Sequence, residues 1–369
     1  MTAEPLRCVE LVRVALPLRR AHHAAHGREA VRDLILVRVE LADGTEGWGE
    51  CSTLAAPTYT AEHTEGAWAV LRDLLVPAAL EGRPSGVVGH PMAAAGLSTA
   101  VADAQLRRDG RALVDELATI GVREPDAPGP AAALPVCAVV SRTDGPDGLV
   151  ADVADRLEGR VAMVKLKLTP SEEDLAAAAV VRATWPDLAL AVDFNGTADL
   201  AALRRLAPLE LAYVEQPAPA DELVRSAHLA ASVDVPIALD ESVTSPGTLD
   251  AAVALGAGRI VNVKPARCGG VREAAALVAR AKVAGMKVFV GGMVESGVGR
   301  AAALAVAAQP GCTLPTDLGP SLAYVDVDVT EPLRTDDLGR IEVPDGPGIG
   351  RTPIPEHLAS VTVDRLELS

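Results

Sequence analysis

The chain has 369 residues, 49% of them hydrophobic but only 2% aromatic, so it can bury a large core and must build it from Ala, Val and Leu. A formal charge of −16 excludes a nucleic-acid surface, which needs concentrated Lys and Arg, and no stretch reaches the roughly 18 apolar residues of a membrane span. Cys8, Cys51, Cys137, Cys268 and Cys312 are scattered without a CxxC pair, and the N-terminus lacks a signal-like apolar run, which together read as reduced thiols in a cytoplasmic protein.

Residues 5–50 predict a small antiparallel sheet: Leu34–Leu41 is rich in β formers, Ala42-Asp43-Gly44 is a turn signal, and Glu46–Glu50 resumes the strand. Between the first two strands, His22, His23 and His26 read as part of a loop, a flap over the site rather than a metal centre. From Thr60 to Leu80 apolar residues recur at three- and four-residue intervals, predicting a helix, and a second helix is expected from about Leu97. Arg123–Pro130 has linker composition.

Beyond it the rhythm becomes regular. Eight short apolar runs, at 134–140, 161–168, 188–192, 211–214, 235–239, 259–263, 287–290 and 313–314, alternate with helical segments such as 174–183, 248–256 and 271–284. Eight β/α units predict an α/β fold, a (β/α)8-type barrel. The expected division is a capping α+β domain over 1–125, the barrel over 131–322, and a tail over 323–369 that returns to the cap through IEVPDGPGIG.

Polar residues end these strands. They are Lys165 and Lys167 in VKLKL, Asp193 in AVDFNG, Glu215 in YVEQP, Asp240 in ALDES and Lys264 in VNVKP, spaced by about one β/α unit. In a barrel that spacing brings them all to the C-terminal mouth, where active sites form. Alternation puts Met163, Lys165 and Lys167 on one side of their strand and Val164 and Leu166 on the other. Lys167 and Lys264 fall on strands four apart in a ring of eight, so they are expected to face each other. Three converging carboxylates repel unless a cation joins them, and a hard divalent ion, most naturally Mg²⁺ with Mn²⁺ as the alternative, suits such oxygen ligands. Three of only five lysines stand here, whereas Arg serves elsewhere. Lys can lose a proton where Arg cannot, which points to proton transfer.

These motifs, with GWGE at 47–50, PTYTAEHT at 57–64, the VKPARCGG stretch from Val263, GGMVESGVGR at 291–300 and VPDGPGIG at 343–350, resemble the enolase superfamily in its muconate-lactonizing subgroup. Closer still, the chain resembles the o-succinylbenzoate synthase/N-succinylamino acid racemase family over nearly its whole length. The resemblance implies Asp193, Glu215 and Asp240 as Mg²⁺ ligands, Lys167 as general base, Lys165 as its electrostatic neighbour and Lys264 as the opposite catalytic lysine. It implies that Arg267 tunes Lys264 from behind. The implied activity is syn-dehydration of a succinyl-cyclohexadiene carboxylate to o-succinylbenzoate in menaquinone synthesis, a carbon–oxygen lyase reaction. Racemisation of N-succinylamino acids at the same site is the alternative, and a catalytically silent metal-binding scaffold the remote one.

The chain departs from the family at Phe194 and Gly196 in DFNG, where DANS is common, and in the DLGPSL segment at 317–322, where the family is serine-rich. Asn195, sharing the parity of Asp193, and Glu241, beside Asp240, are candidates for the network behind the ligands. Gly292 and Met293 are candidate substrate contacts, the glycines allowing close backbone approach. The expected partner is a small-molecule carboxylate, without nucleic acid or membrane, and a homo-oligomer is compatible with this composition.

Overall fold

The computed structural model describes residues 6–24, 27–120, 128–143 and 145–369, with backbone only for 21–24 and 27–28. The linker expected at Arg123–Pro130 therefore lies largely outside the described residues, as does His26. Strands β1 (Leu6–Ala24), β2 (Gly27–Leu41) and β3 (Glu46–Cys51) form an antiparallel meander. The last strand of the chain, β13 (Thr362–Leu368), pairs with β1 and completes a sheet of order β13-β1-β2-β3. The turn between β2 and β3 is set by Gly44 at φ +88° and by Asp43, which accepts a bond from the Thr45 amide. The segment around His22 is not wholly a loop: after a register shift beyond Pro17–Val31, β1 and β2 pair again from His22–Glu29 to Ala24–Gly27. The side chains of His22 and His23 are outside the described residues.

Helices α1 (Thr64–Val70) and α2 (Val76–Leu80), joined by a π-helical turn at Leu71–Leu75, occupy the stretch read as one helix. Helix α3 (Pro91–Arg108) starts earlier than expected, at a proline suited to a first turn. It lies flat on β3 because Gly47 and Gly49 present no side chain. A Cβ on Gly49 would sit 2.1 Å from the Gly96 carbonyl oxygen and 2.7 Å from the Ala100 nitrogen. Helix α4 (Leu113–Leu117) follows.

The remainder alternates. After β4 (Ala133–Pro135) come β5 (Cys137–Val140), α5 (Pro146–Leu157), β6 (Met163–Lys167), α6 (Glu172–Thr184), β7 (Leu190–Asp193) and α7 (Leu200–Leu206). They are followed by β8 (Tyr213–Glu215), α8 (Leu223–Ala230), β9 (Ile237–Leu239), α9 (Pro246–Leu255), β10 (Ile260–Val263), α10 (Val271–Val283), β11 (Lys287–Val290) and α11 (Gly297–Ala307). Strands β5 to β11 form a curled seven-stranded parallel sheet in chain order. Residues 313–317 hydrogen-bond to both of its edges: the Thr313 and Asp317 amides donate to Val288 and Val290, and the Cys137 amide donates to Thr316.

Alternation along the strands separates two cores. Val164, Leu166, Val192 and Val214 pack against the helices, whereas Cys137, Met163, Ala191, Tyr213, Ala238, Ile260 and Phe289 fill the concave side. The sequence IEVPDGPGIG does not join the N-terminal sheet. Its strand β12 (Arg340–Glu342) pairs with β4, and the following Gly348-Ile349 docks on Ala112 and Asp103. Only β13, after α12 (Pro355–Val361), reaches β1.

Two buried side chains tie the N-terminal sheet to the loop after β11. Arg32 is fully buried and donates to the carbonyls of Ser52, Thr53 and Met293. Glu50 accepts from the amides of Ser296 and Gly299 at the start of α11, and from the hydroxyls of Ser296 and Ser52. Burial pushes its carboxyl up to about 7 from an ordinary 4.5, against the opposing pull of the Ser296 and Ser52 bonds. The folded chain thus holds this proton more tightly than the unfolded one. The associated stability is present below pH 4.5 and lost as the pH rises through 7.

Two predictions follow from this packing. Gly49→Ala forces backbone apart and should lower the unfolding free energy by about 1–3 kcal/mol or more in urea titrations; an unchanged midpoint contradicts the close approach. Between pH 5 and 8 the parent chain should lose on the order of 3 kcal/mol relative to Glu50→Gln, and parallel pH profiles for the two would show that Glu50 does not titrate with folding.

Candidate active site

Register builds the site. Lys167, Asp193 and Glu215 are direct neighbours across β6, β7 and β8. The ladder then steps: Glu215 pairs with Ala238 and Leu239 with Val261, so Asp240 and Lys264 stand successively further along their own strands. Such stepping is what tilted strands in a curled sheet require. Lys165, Lys167, Asp193, Glu215 and Lys264 all line one cavity, which the cap residues Glu29, Leu54 and Tyr59 also line.

Each acid has a cationic partner. Lys167 Nζ donates to Asp193 at 2.8 Å and to Asn195 Oδ1 at 2.9 Å. Lys165 Nζ lies 2.5 Å from both Glu215 and Asp317, 5.2 Å from the Phe289 ring centre. Lys264 Nζ donates to Asp240 at 2.9 Å and to the Tyr59 hydroxyl at 2.8 Å, while Arg267 pairs with the other Asp240 oxygen. The structure thus brings the three lysines to one cavity, each against an acid.

Electrostatics distinguish the acids. Burial alone would raise all three. For Asp240 the charges of Arg267 and Lys264 overcome it and hold the carboxyl well below the usual range. For Asp193 the charges of Lys167 and Lys165 do the same. Glu215 is the exception: burial, then the proximity of Asp193, Asp240 and Asp317, outweighs Lys165 and pushes it up to about 8. Burial works to depress Lys165 and Lys167, but their acid neighbours prevail and both are held above the ordinary lysine value.

Asn195 has φ +44° and joins two groups, accepting from Lys167 and donating to Glu241 at 2.9 Å. Glu241 lies beyond the end of β9, where strand alternation no longer governs direction, and it reaches Asn195 instead of solvent. Its carboxyl rises to about 7 through burial and the nearby Asp240 and Asp193. Gly292 and Met293 line the cavity. A Cβ on Gly292 would come 3.1 Å from Glu295 Oε2, and the Met293 carbonyl is the acceptor for Arg32.

Four further residues escaped the sequence reading. Tyr59 donates to Asp240 at 2.9 Å from the cap. Asp317 binds Lys165, and Asn262 donates to Glu215 at 2.7 Å. Buried Gln216 accepts from the Asp240 amide and donates to Ser242, fixing the turn that carries Asp240. Asn262 shares the parity of Lys264, so the alternation rule points to it, whereas Asp317 lies three positions past the eighth apolar run. Tyr59 lies in the PTYTAEHT motif, but no strand-end or alternation rule points it at the carboxylates.

Comparisons with known proteins place the chain in a family. A family model described as enolase C-terminal domain-like matches residues 148–357. An N-succinylamino acid racemase from Amycolatopsis sp is 37% identical, with 97% of this chain and 98% of the relative covered. An o-succinylbenzoate synthase from Geobacillus stearothermophilus is 36% identical over 86% of each chain. Among solved structures, a probable mandelate racemase from Alicyclobacillus acidocaldarius superposes with TM-score 0.84 at 36% identity, covering 98% of this chain and 99% of the other. An enolase superfamily member from Listeria innocua gives 0.90 at 26% identity, covering 99% of each. The chain belongs to the enolase superfamily, in the family of o-succinylbenzoate synthases and N-succinylamino acid racemases.

Proposed function

We propose that this chain forms o-succinylbenzoate by syn-dehydration and that the same lysines racemise N-succinylamino acids. The observation that carries the reading is the set of three lysine–carboxylate pairs at the ends of β6 to β10, whose three lysines line one cavity. Lys167 is the base that takes the proton next to the substrate carboxylate. Lys165, buried and tethered to two acids, is a fixed cation near the developing negative charge. Lys264 serves the other face. The second activity is favoured by Lys264 itself, because its bonds to Asp240 and Tyr59 hold an ammonium that lines the same cavity as Lys167. Asn195 and Glu241 position Lys167, Arg267 positions Asp240 beside Lys264, and Gly292 and Met293 border the substrate.

The residues fit a divalent cation. Among the described residues no three of His, Cys, Asp and Glu form a ready ligand cluster, since each strand-end acid is engaged by a lysine. The donor chemistry nevertheless suits a hard ion: Asp193, Glu215 and Asp240 sit on adjacent strand ends, and crowding by the other acids helps to raise Glu215 to about 8, a repulsion that positive charge relieves. When bound, Mg²⁺ or Mn²⁺ held by these three supplies Lewis-acid stabilisation of charge on the substrate carboxylate. The fuller architecture we propose is a closed (β/α)8 barrel over 131–322, with 313–317 as its eighth stave, under a cap of 1–125 and the tail 323–369. A cytoplasmic setting in menaquinone synthesis accords with this activity, and no described helix is long and apolar enough to cross a membrane.

Two measurements test the reading. Excess EDTA should abolish turnover of both substrates and added Mg²⁺ should restore it, while Asp240→Asn should weaken Mg²⁺ binding at least about tenfold by calorimetry, since losing even a partner of a ligand costs about 10–100-fold. Activity that persists in EDTA refutes the metal assignment. Lys167→Ala should eliminate dehydration, whereas Lys264→Arg should eliminate racemisation and leave some dehydration, the guanidinium keeping the charge. If racemisation survives in Lys264→Arg while dehydration is lost, the two lysines are assigned the wrong way round.

A further inference from the structure

A second cavity, of about 140 Å³, adjoins the active-site cavity, and Val139 and Tyr324 line both. Arg156 of α5 and Thr335 of the tail also line it. The Arg156 side chain makes no ion pair or hydrogen bond with any described residue, whereas Asp155, which lines the same cavity, pairs with Arg20. On the active-site side, Arg300 lies 4.9 Å from the centre of the Tyr324 ring. Tyr324 therefore stands between two guanidinium groups, both of which counter the burial that raises its phenol.

The substrates of the proposed reactions carry two carboxylates, one beside the reacting carbon and one at the end of a succinyl arm. The active-site cavity is poorly suited to the second. Its lysines are already matched with acids, and Arg300 donates to the carbonyls of Gly319 and Glu295. Glu29, Glu295 and Asp317 in the same lining lie within 4.0 Å of Arg32, Arg300 and Lys165, so each of these cations already faces an acid. The volume behind Tyr324 exceeds the roughly 30 Å³ share of one water several times over, enough for an acetate-sized end group.

We propose that this second cavity receives the carboxylate end of the substrate's acyl arm, which passes between Val139 and Tyr324 to pair with Arg156. The inference rests on the succinyl-bearing substrate of the preceding reading. Charge-assisted contact with a guanidinium gives the arm both affinity and direction, and it assigns substrate choice to a residue outside the catalytic cavity.

The test compares N-succinyl- and N-acetyl-L-phenylalanine as ligands of the full chain in Mg²⁺, by calorimetry, with turnover of the same compounds followed in parallel. The parent chain should bind the succinyl ligand at least about tenfold more tightly, Arg156→Gln should erase that preference, and Arg156→Lys should restore part of it. No preference in the parent chain, or a preference that Arg156→Gln leaves intact, overturns the inference. Binding that depends on Arg156 without turnover of either compound supports the cavity and refutes the racemase activity. Turnover with a preference indifferent to Arg156 refutes the cavity alone.

Discussion

Everything at the mouth of the parallel sheet depends on neutralising acids that have been taken out of water. Two like charges about 5 Å apart repel by about 3 kcal/mol even at an effective dielectric near 20, and here Asp193, Glu215 and Asp240 are all buried on adjacent strands. The chain answers with one lysine per acid and a guanidinium for Asp240. The match is uneven. Asp240 has two cations and is strongly ionised, whereas Glu215 shares Lys165 with Asp317 and takes up a proton more readily. That imbalance makes Glu215 the point at which added positive charge has most effect.

The rigidity of the pairing comes from the strands beneath it. Lys167, Asp193 and Glu215 are fixed by main-chain register, so their relative heights do not depend on side-chain packing. Asp240 lies past the end of its strand and needs Gln216, itself at φ +36°, to hold its amide. The cap then contributes through Tyr59, whose hydroxyl bridges Lys264 and Asp240. Chemistry is thus arranged in tiers, from backbone register, through a buried amide, to a phenol supplied by another part of the chain.

Much of this was legible in the residues. Period-2 alternation separated Val164 and Leu166 from Met163 and Lys165, and the spacing of strand-end acids located the site, because both follow from local geometry repeated along the chain. What depended on distant docking was not legible. Tyr59 meets Asp240 across 181 positions of sequence, and no local pattern encodes that approach. The tail does reach the N-terminal sheet, but through β13; IEVPDGPGIG reads as a strand and turn, and the edge that accepts it is β4, whose Leu134 pairs with Ile341. Asp317 stands out only as the first residue of the departing DLGPSL segment, because it lies three positions past the run at 313–314 and so does not read as a strand-end acid.

Arg32 has a different consequence. Its guanidinium reads carbonyl oxygens at Ser52, Thr53 and Met293, and a carbonyl is the same whatever side chain its residue bears. The guanidinium is therefore blind to identity at those positions, although the side chains of Ser52 and Thr53 are held separately by Glu50 and Thr64. Met293 is nevertheless anchored by its side chain as well, buried in the same core as Val9, Leu11 and Ile35, so the wall of the cavity and the N-terminal frame can only change together.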